Sequence, residues 1–133
     1  MLSPSALEFL SAPGRYATLA TVNGDGSPHQ VIVWYLVRDD AIVLNSRVGR
    51  RWQANVLREP RVALTVATAT GDYVTLAGEV ERVDDPELGQ TDIAAMAHRY
   101  QPADVAERNI ARYRTEQRVT FLLKPSRTHQ DTE

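Results

Sequence analysis

Cysteine is absent from the 133-residue chain. That excludes disulfide scaffolds, cysteine-ligated zinc, iron–sulfur clusters and thiol nucleophiles. Neither sign of charge dominates. Fifteen Lys and Arg stand against seventeen Asp and Glu, a formal net charge of −2, so any anion site has to be local rather than a general basic coat. Aromatic residues make up only 7% of the chain, few for the stacking surfaces of a nucleic-acid binder, and no nucleic-acid partner is expected. No apolar run approaches the roughly twenty residues of a membrane span, and no basic-then-apolar leader is visible. The expectation is a cytoplasmic chain with no membrane partner.

Several motifs are missing too. Gly24-Asp25-Gly26 is the only G-x-G, and it runs through Ser27-Pro28 into a strand pattern rather than a helix, so the dinucleotide fingerprint is absent. There is no Walker loop and no G-x-S-x-G elbow. His29, His98 and His129 lie far apart without a second ligand at helical spacing, and no metal site is expected. If the chain does chemistry, a bound cofactor carries it.

What is present is ordinary globular material: 43% hydrophobic, 24% charged, with seven Gly and seven Pro. The expected organisation is one domain over 1–125 and a polar tail over 126–133. Ser5 with Glu8 reads as a capping box opening a short first helix that Ala12-Pro13-Gly14 ends. Strand patterns follow at 16–22, 28–37, 41–46, 62–68, 73–83 and 117–123, with a turn at Asn23-Gly24-Asp25-Gly26 and a bulge signal at Gly78. The 28–37 run is so apolar at Val31, Ile32, Val33, Trp34 and Tyr35 that it predicts burial on both faces, by the barrel or by a partner subunit. A short helix is expected to end near Arg58 ahead of Pro60. Asp84-Asp85-Pro86-Glu87 starts another, carrying Ile93, Met96, Ala97 and Tyr100 on one face, and Ala106, Ile110 and Tyr113 mark a last one. The fold class is therefore mainly β with inserted helices, about six strands and three to four helices, arranged as a small barrel.

The strongest local signal is Arg47, Arg50 and Arg51 where a strand gives way to a helix. Guanidinium forks, free helix N–H groups and the neutral side chains of Asn45 and Ser46 together suit a phosphate. The competing reading is a solvated turn whose arginines pair with carboxylates elsewhere. Trp34 either packs or flanks a planar ring. Tyr35 and Trp52 read as packing residues, Asn55 as a bond near a helix end, and Ile93, Met96 and Tyr100 as core.

The segments Tyr16-Ala17-Thr18-Leu19-Ala20-Thr21-Val22-Asn23-Gly24-Asp25-Gly26-Ser27-Pro28-His29, Val33-Trp34-Tyr35 and Asn55-Val56-Leu57-Arg58-Glu59-Pro60-Arg61-Val62-Ala63-Leu64 resemble the pyridoxamine-phosphate-oxidase-like flavin and deazaflavin oxidoreductases, over about Leu7 to Lys124. The resemblance implies a split β-barrel homodimer with cofactor sites at the interface and a planar small-molecule substrate. Its look-alikes are short members that use the deazaflavin coenzyme F420; FMN is the alternative cofactor, and a non-catalytic flavin- or haem-binding module the alternative role. By the same resemblance, Asn45, Ser46, Arg47, Arg50 and Arg51 would hold the cofactor phosphate, and Gln30, Val31, Ile32, Val33 and Trp34 would line its ring. The region around His129 would close over the partner's site. Relatives often carry Lys at the position of Trp52, so here the arginines would carry more of the anion.

Overall fold

Alternating burial explains most of the sheet. In a computed structural model describing residues 2–131, β1 (Ala17–Val22), β5 (Arg61–Ala67) and β6 (Tyr73–Val83) send every second side chain inward, among them Leu19, Leu64, Val66, Val74 and Leu76. These meet Ile42, Leu44, Phe121 and Leu123 from β4 (Ala41–Arg47) and β7 (Arg118–Asp131) in one core. Each such side chain contributes about 1.5–3 kcal/mol on leaving water. β2 (Pro28–Val33) and β3 (Leu36–Arg38) complete seven antiparallel strands in the order β2-β1-β5-β6-β7-β4-β3. The sheet curls without closing, as a split barrel.

About six strands are expected from the sequence and the sheet has seven, because the 28–37 run breaks at Trp34-Tyr35. Both backbone groups of Tyr35 are taken by the third helix, α3 (Pro86–Tyr100): its N–H donates to Tyr100 Oη at 3.3 Å and its carbonyl accepts from Arg99 Nη1 at 2.5 Å. No strand partner can then use them. Within the chain, β2 is an edge strand with alternating exposure, and Ile32 is 64% exposed. The strand buried on both faces is β4 instead. Ile42 and Leu44 enter the barrel, while Val43 faces α3 and α4 (Ala103–Tyr113) in a second core with Ile93, Met96, Ala97, Ala106, Ile110 and Tyr113.

Two further expectations change. The first helix, α1 (Pro4–Ser11), is capped by Ser3, whose Oγ accepts from the Ala6 N–H at 3.0 Å, with Pro4 in its first turn; the Ser5–Glu8 pair is not its cap. Residues 126–131, expected as a polar tail, continue β7 along β6 as far as Asp131. The rest of that segment, Thr132 and Glu133, lies outside the described residues. The ladder shifts register between Ala77 and Gly78, where a Cβ would collide with the Lys124 carbonyl, so only glycine admits the bulge.

α2 (Arg51–Arg58) plugs one end of the barrel. Trp52 is 4% exposed and meets Phe121 edge-on, with ring centroids 5.2 Å apart. Among the described residues, no helix is long and apolar enough to cross a membrane.

Candidate functional site

The barrel splits between β2 and β4, which share no hydrogen bonds although only seven residues separate them. A cleft of about 510 Å³ opens there. Val31, Ile32, Val33 and Trp34 form one wall, and Ile93 and Met96 of α3 add apolar surface. Asn45, Ser46, Arg47 and Arg50 form the opposite wall, with Trp52 between. Arg112, Tyr113, Glu116 and Arg118, from the end of α4 and the start of β7, complete it. One part is apolar, and the other carries four guanidinium groups against one carboxylate.

The cationic end is built by local rules. Gly49 adopts φ +107°, which turns the chain from β4 into α2. Its N–H donates to Gln53 Oε1 at 3.1 Å. Among the described residues no side chain caps α2, which leaves its first N–H groups for another acceptor. Gln53 is 4% exposed, and its Nε2 is the one buried side-chain polar atom among the described residues that lacks a partner. Arg47 and Arg50 take part in no ion pair among those residues.

Asn45 and Ser46 stand in the cleft wall, yet their polar atoms are engaged within the protein. Asn45 Nδ2 donates to the Gly89 carbonyl at 2.8 Å, and its Oδ1 accepts from Arg118 Nε at 3.0 Å. Ser46 Oγ donates to the Arg47 carbonyl at 2.9 Å. Asn45 thus sets Arg118, which also reaches Glu116 Oε1 at 3.1 Å and lies 4.9 Å over the Tyr113 ring. Burial pushes the Arg118 guanidinium below its usual pKa, and Glu116 opposes that shift.

Trp34 stacks on Tyr100, with centroids 5.2 Å apart and planes 11° from parallel, and Tyr100 stacks in turn on the half-exposed Tyr16 at 5.1 Å. The indole therefore both packs and lines the cleft. Tyr35 is fully buried and donates from Oη to the Leu10 carbonyl at 2.7 Å.

Of the ten residues singled out in the sequence, eight line the cleft. Gln30 and Arg51 do not. Gln30 belongs to the outward, exposed set of β2, and Arg51 opens α2 on its exposed side. Sequence reasoning missed Arg112, Glu116 and Arg118 and left Tyr113, Ile93 and Met96 in the core. No spacing signals their role. It is the β4–β7 register, with Arg47 opposite Arg118, that brings the end of α4 to the cleft. His129 sits far along β7, its ring 5.9 Å from that of Tyr73.

The Asn55-to-Arg61 motif serves the frame. Asn55 Nδ2 donates to Thr21 Oγ1 at 3.0 Å and Asn23 Oδ1 at 3.1 Å, and Arg58 bonds the Val22 carbonyl. This locks α2 against the β1–β2 hairpin.

The structure is a split barrel with a cleft that is apolar at one part and guanidinium-lined at the other. The profile of Pyridoxamine 5'-phosphate oxidase matches residues 2–127, and the chain belongs to that family, which binds flavin-type cofactors and includes oxidoreductases. The conserved hypothetical protein Rv2991 from Mycobacterium tuberculosis is similar in structure, with a TM-score of 0.81 at 26% identity over 98% of this chain and 84% of that one. An F420 reductase gives 0.73 at 24% identity, over 96% and 98% of the two chains. General Stress Protein 26 from Bacillus anthracis gives 0.65 at 12%, over 93% and 89%, a likeness of fold alone. Among proteins of curated function, none matches this chain's sequence.

Proposed function

We propose that the chain is an oxidoreductase that uses coenzyme F420, with FMN the second candidate, to transfer a hydride to a planar conjugated small molecule. The observation that carries this reading is one cleft joining the apolar wall of Val31 to Trp34 with Arg47 and Arg50. The cleft volume of about 510 Å³ falls in the range of cofactor sites. The group fits. Its ring would lie along Val31, Val33 and Trp34, and its phosphate would take Arg47, Arg50 and the open first turn of α2. When bound, such a cofactor supplies a hydride.

The chain's part is placement and field. Val31, Val33, Ile93 and Met96 give the ring end an apolar lining, with Tyr113 packed beside Ile93 and Met96. Solvent water entering by the open side of the cleft would supply any proton the reduced product needs. The guanidiniums hold the tail, so the ring is aligned by two separate grips.

The reading includes a homodimer. Ile32 is 64% exposed, Val48 50% and Leu57 56%, and the outward face around Ile32 carries the small side chains of Ala20 and Ala63. A second copy would cover Ile32 and wall the open side of the cleft. A cytoplasmic setting, where such reductants are kept, belongs to the same proposal.

Gel filtration with F420 and with FMN in separate runs tests all of this. The expected result is F420 co-eluting at twice the monomer mass and, once reduced, being oxidised by a panel of planar acceptors. Co-elution of FMN alone selects the second cofactor. Binding without turnover of any acceptor makes the chain a carrier, and a monomer holding cofactor tightly removes the interface site.

A further inference from the structure

One group in the cleft works against an anionic ligand: the carboxylate of Glu116. It follows α4 in a turn that Gln90 pins, with Nε2 donating at 3.0 Å to the carbonyls of both Tyr113 and Glu116. From that turn its Oε1 meets Arg118 Nη1 at 3.1 Å, with side chains 22% and 9% exposed respectively. Arg118 is held from the other side by Asn45 Oδ1 at 3.0 Å. Of the four guanidiniums that line the cleft, only this one has an ion pair among the described residues.

We propose that Glu116 sets how much negative charge the cleft accepts, by serving as an internal counter-ion that withholds Arg118 from the ligand's tail. Arg47, Arg50 and Arg112 then remain for the ligand. An anion that approaches Arg118 meets a fixed carboxylate and has to displace it. Glu116 is thus a specificity-determining residue, grading ligands by the charge and reach of their tails rather than by their rings. The inference rests on reading the cleft as the site of an anion-tailed cofactor.

The cleft contains its own reporter. Trp34 and Trp52, the only two tryptophans in the chain, both line it. Titration of the protein with pyrophosphate, followed by tryptophan fluorescence, isolates the tail's contribution from the ring's. Replacing Glu116→Gln keeps the shape and removes one negative charge at cleft distance. Pyrophosphate should then bind about tenfold more tightly, with a steeper loss of affinity on adding salt. Glu116→Asp should stay near the parent protein. Adding Arg118→Gln to Glu116→Gln should cancel the gain, which a merely structural role for Glu116 would not produce.

Unchanged or weaker pyrophosphate binding in Glu116→Gln overturns the inference, as does a gain that survives in the double variant. Failure of every form to bind pyrophosphate overturns it as well. If Glu116→Gln gains affinity as expected while neither FMN nor F420 binds any form, the charge-setting role stands and the cofactor reading falls.

Discussion

Two sets of arginines in this protein look alike in composition and differ in what they bond. Arg99 spends its guanidinium on the chain's own carbonyls: Tyr35 at 2.5 Å, Leu10 at 3.1 Å and Ala12 at 3.1 Å, with the Tyr35 ring 4.5 Å away. Arg58 does the same for the Val22 carbonyl beside Asn55. Arg47 and Arg50, in the wall of the cleft, have no such carbonyl and no carboxylate among the described residues. The first set closes helices onto strands, and the second faces open volume. An arginine's role here is read from where its five donors go, not from its charge or neighbours in sequence.

The contrast can be broken experimentally. Arg99→Met removes its bonds to three carbonyls, of which Leu10 keeps Tyr35 Oη and Tyr35 keeps Tyr100 Oη, and should cost about 3 kcal/mol of folding stability. Urea unfolding measures it, and a loss below about 1 kcal/mol would mean water replaces those bonds. The paired change Arg47→Ala with Arg50→Ala should do the opposite. Cofactor binding should weaken about thirtyfold, since charge-assisted phosphate bonds are lost, while the urea midpoint stays put. Arg51→Ala, outside the cleft lining, should cost less binding than Arg50→Ala, and equal losses would extend the site around α2.

The smallest effect concerns pH. Burial raises the Tyr35 hydroxyl above its ordinary value of 10.0, opposed in part by Arg99. Folding therefore favours the neutral phenol. Its stabilisation is complete below the unfolded value and is lost as pH rises through the higher folded one. Stability should fall above pH about 10, and Tyr35→Phe, less stable by about 1 kcal/mol at neutral pH, should show a shallower alkaline decline. An identical decline in both proteins would shift the effect to Tyr100, which burial raises likewise.

Much of the frame was legible because local chemistry and tertiary packing agree. Asp85 caps α3 by accepting from the Leu88 N–H at 3.1 Å, and Gly78 marks the bulge its pattern announces. The 28–37 run misled for a physical reason. Apolar continuity reports burial but not hydrogen-bond partners, and Tyr35 gives its backbone to α3 instead of to a strand. At the cleft, the contiguous cluster around Arg50 could be read in one dimension. Arg118 could not, since only the pairing of β4 with β7 sets it opposite Arg47. Asn45 and Ser46 line the cleft as well, and their bonds to Gly89, Arg118 and the Arg47 carbonyl could not be read, because sequence shows a polar atom but not its partners within the protein.

The two-residue link at Trp34-Tyr35 has a consequence for ligand entry. It leads from the β2 wall of the cleft into β3, which pairs with β4, and Tyr100 and Arg99 rivet it from α3. A jaw riveted at its hinge gapes little, and the slot's width there can change only if Tyr35 gives up its bonds to Arg99 and Tyr100.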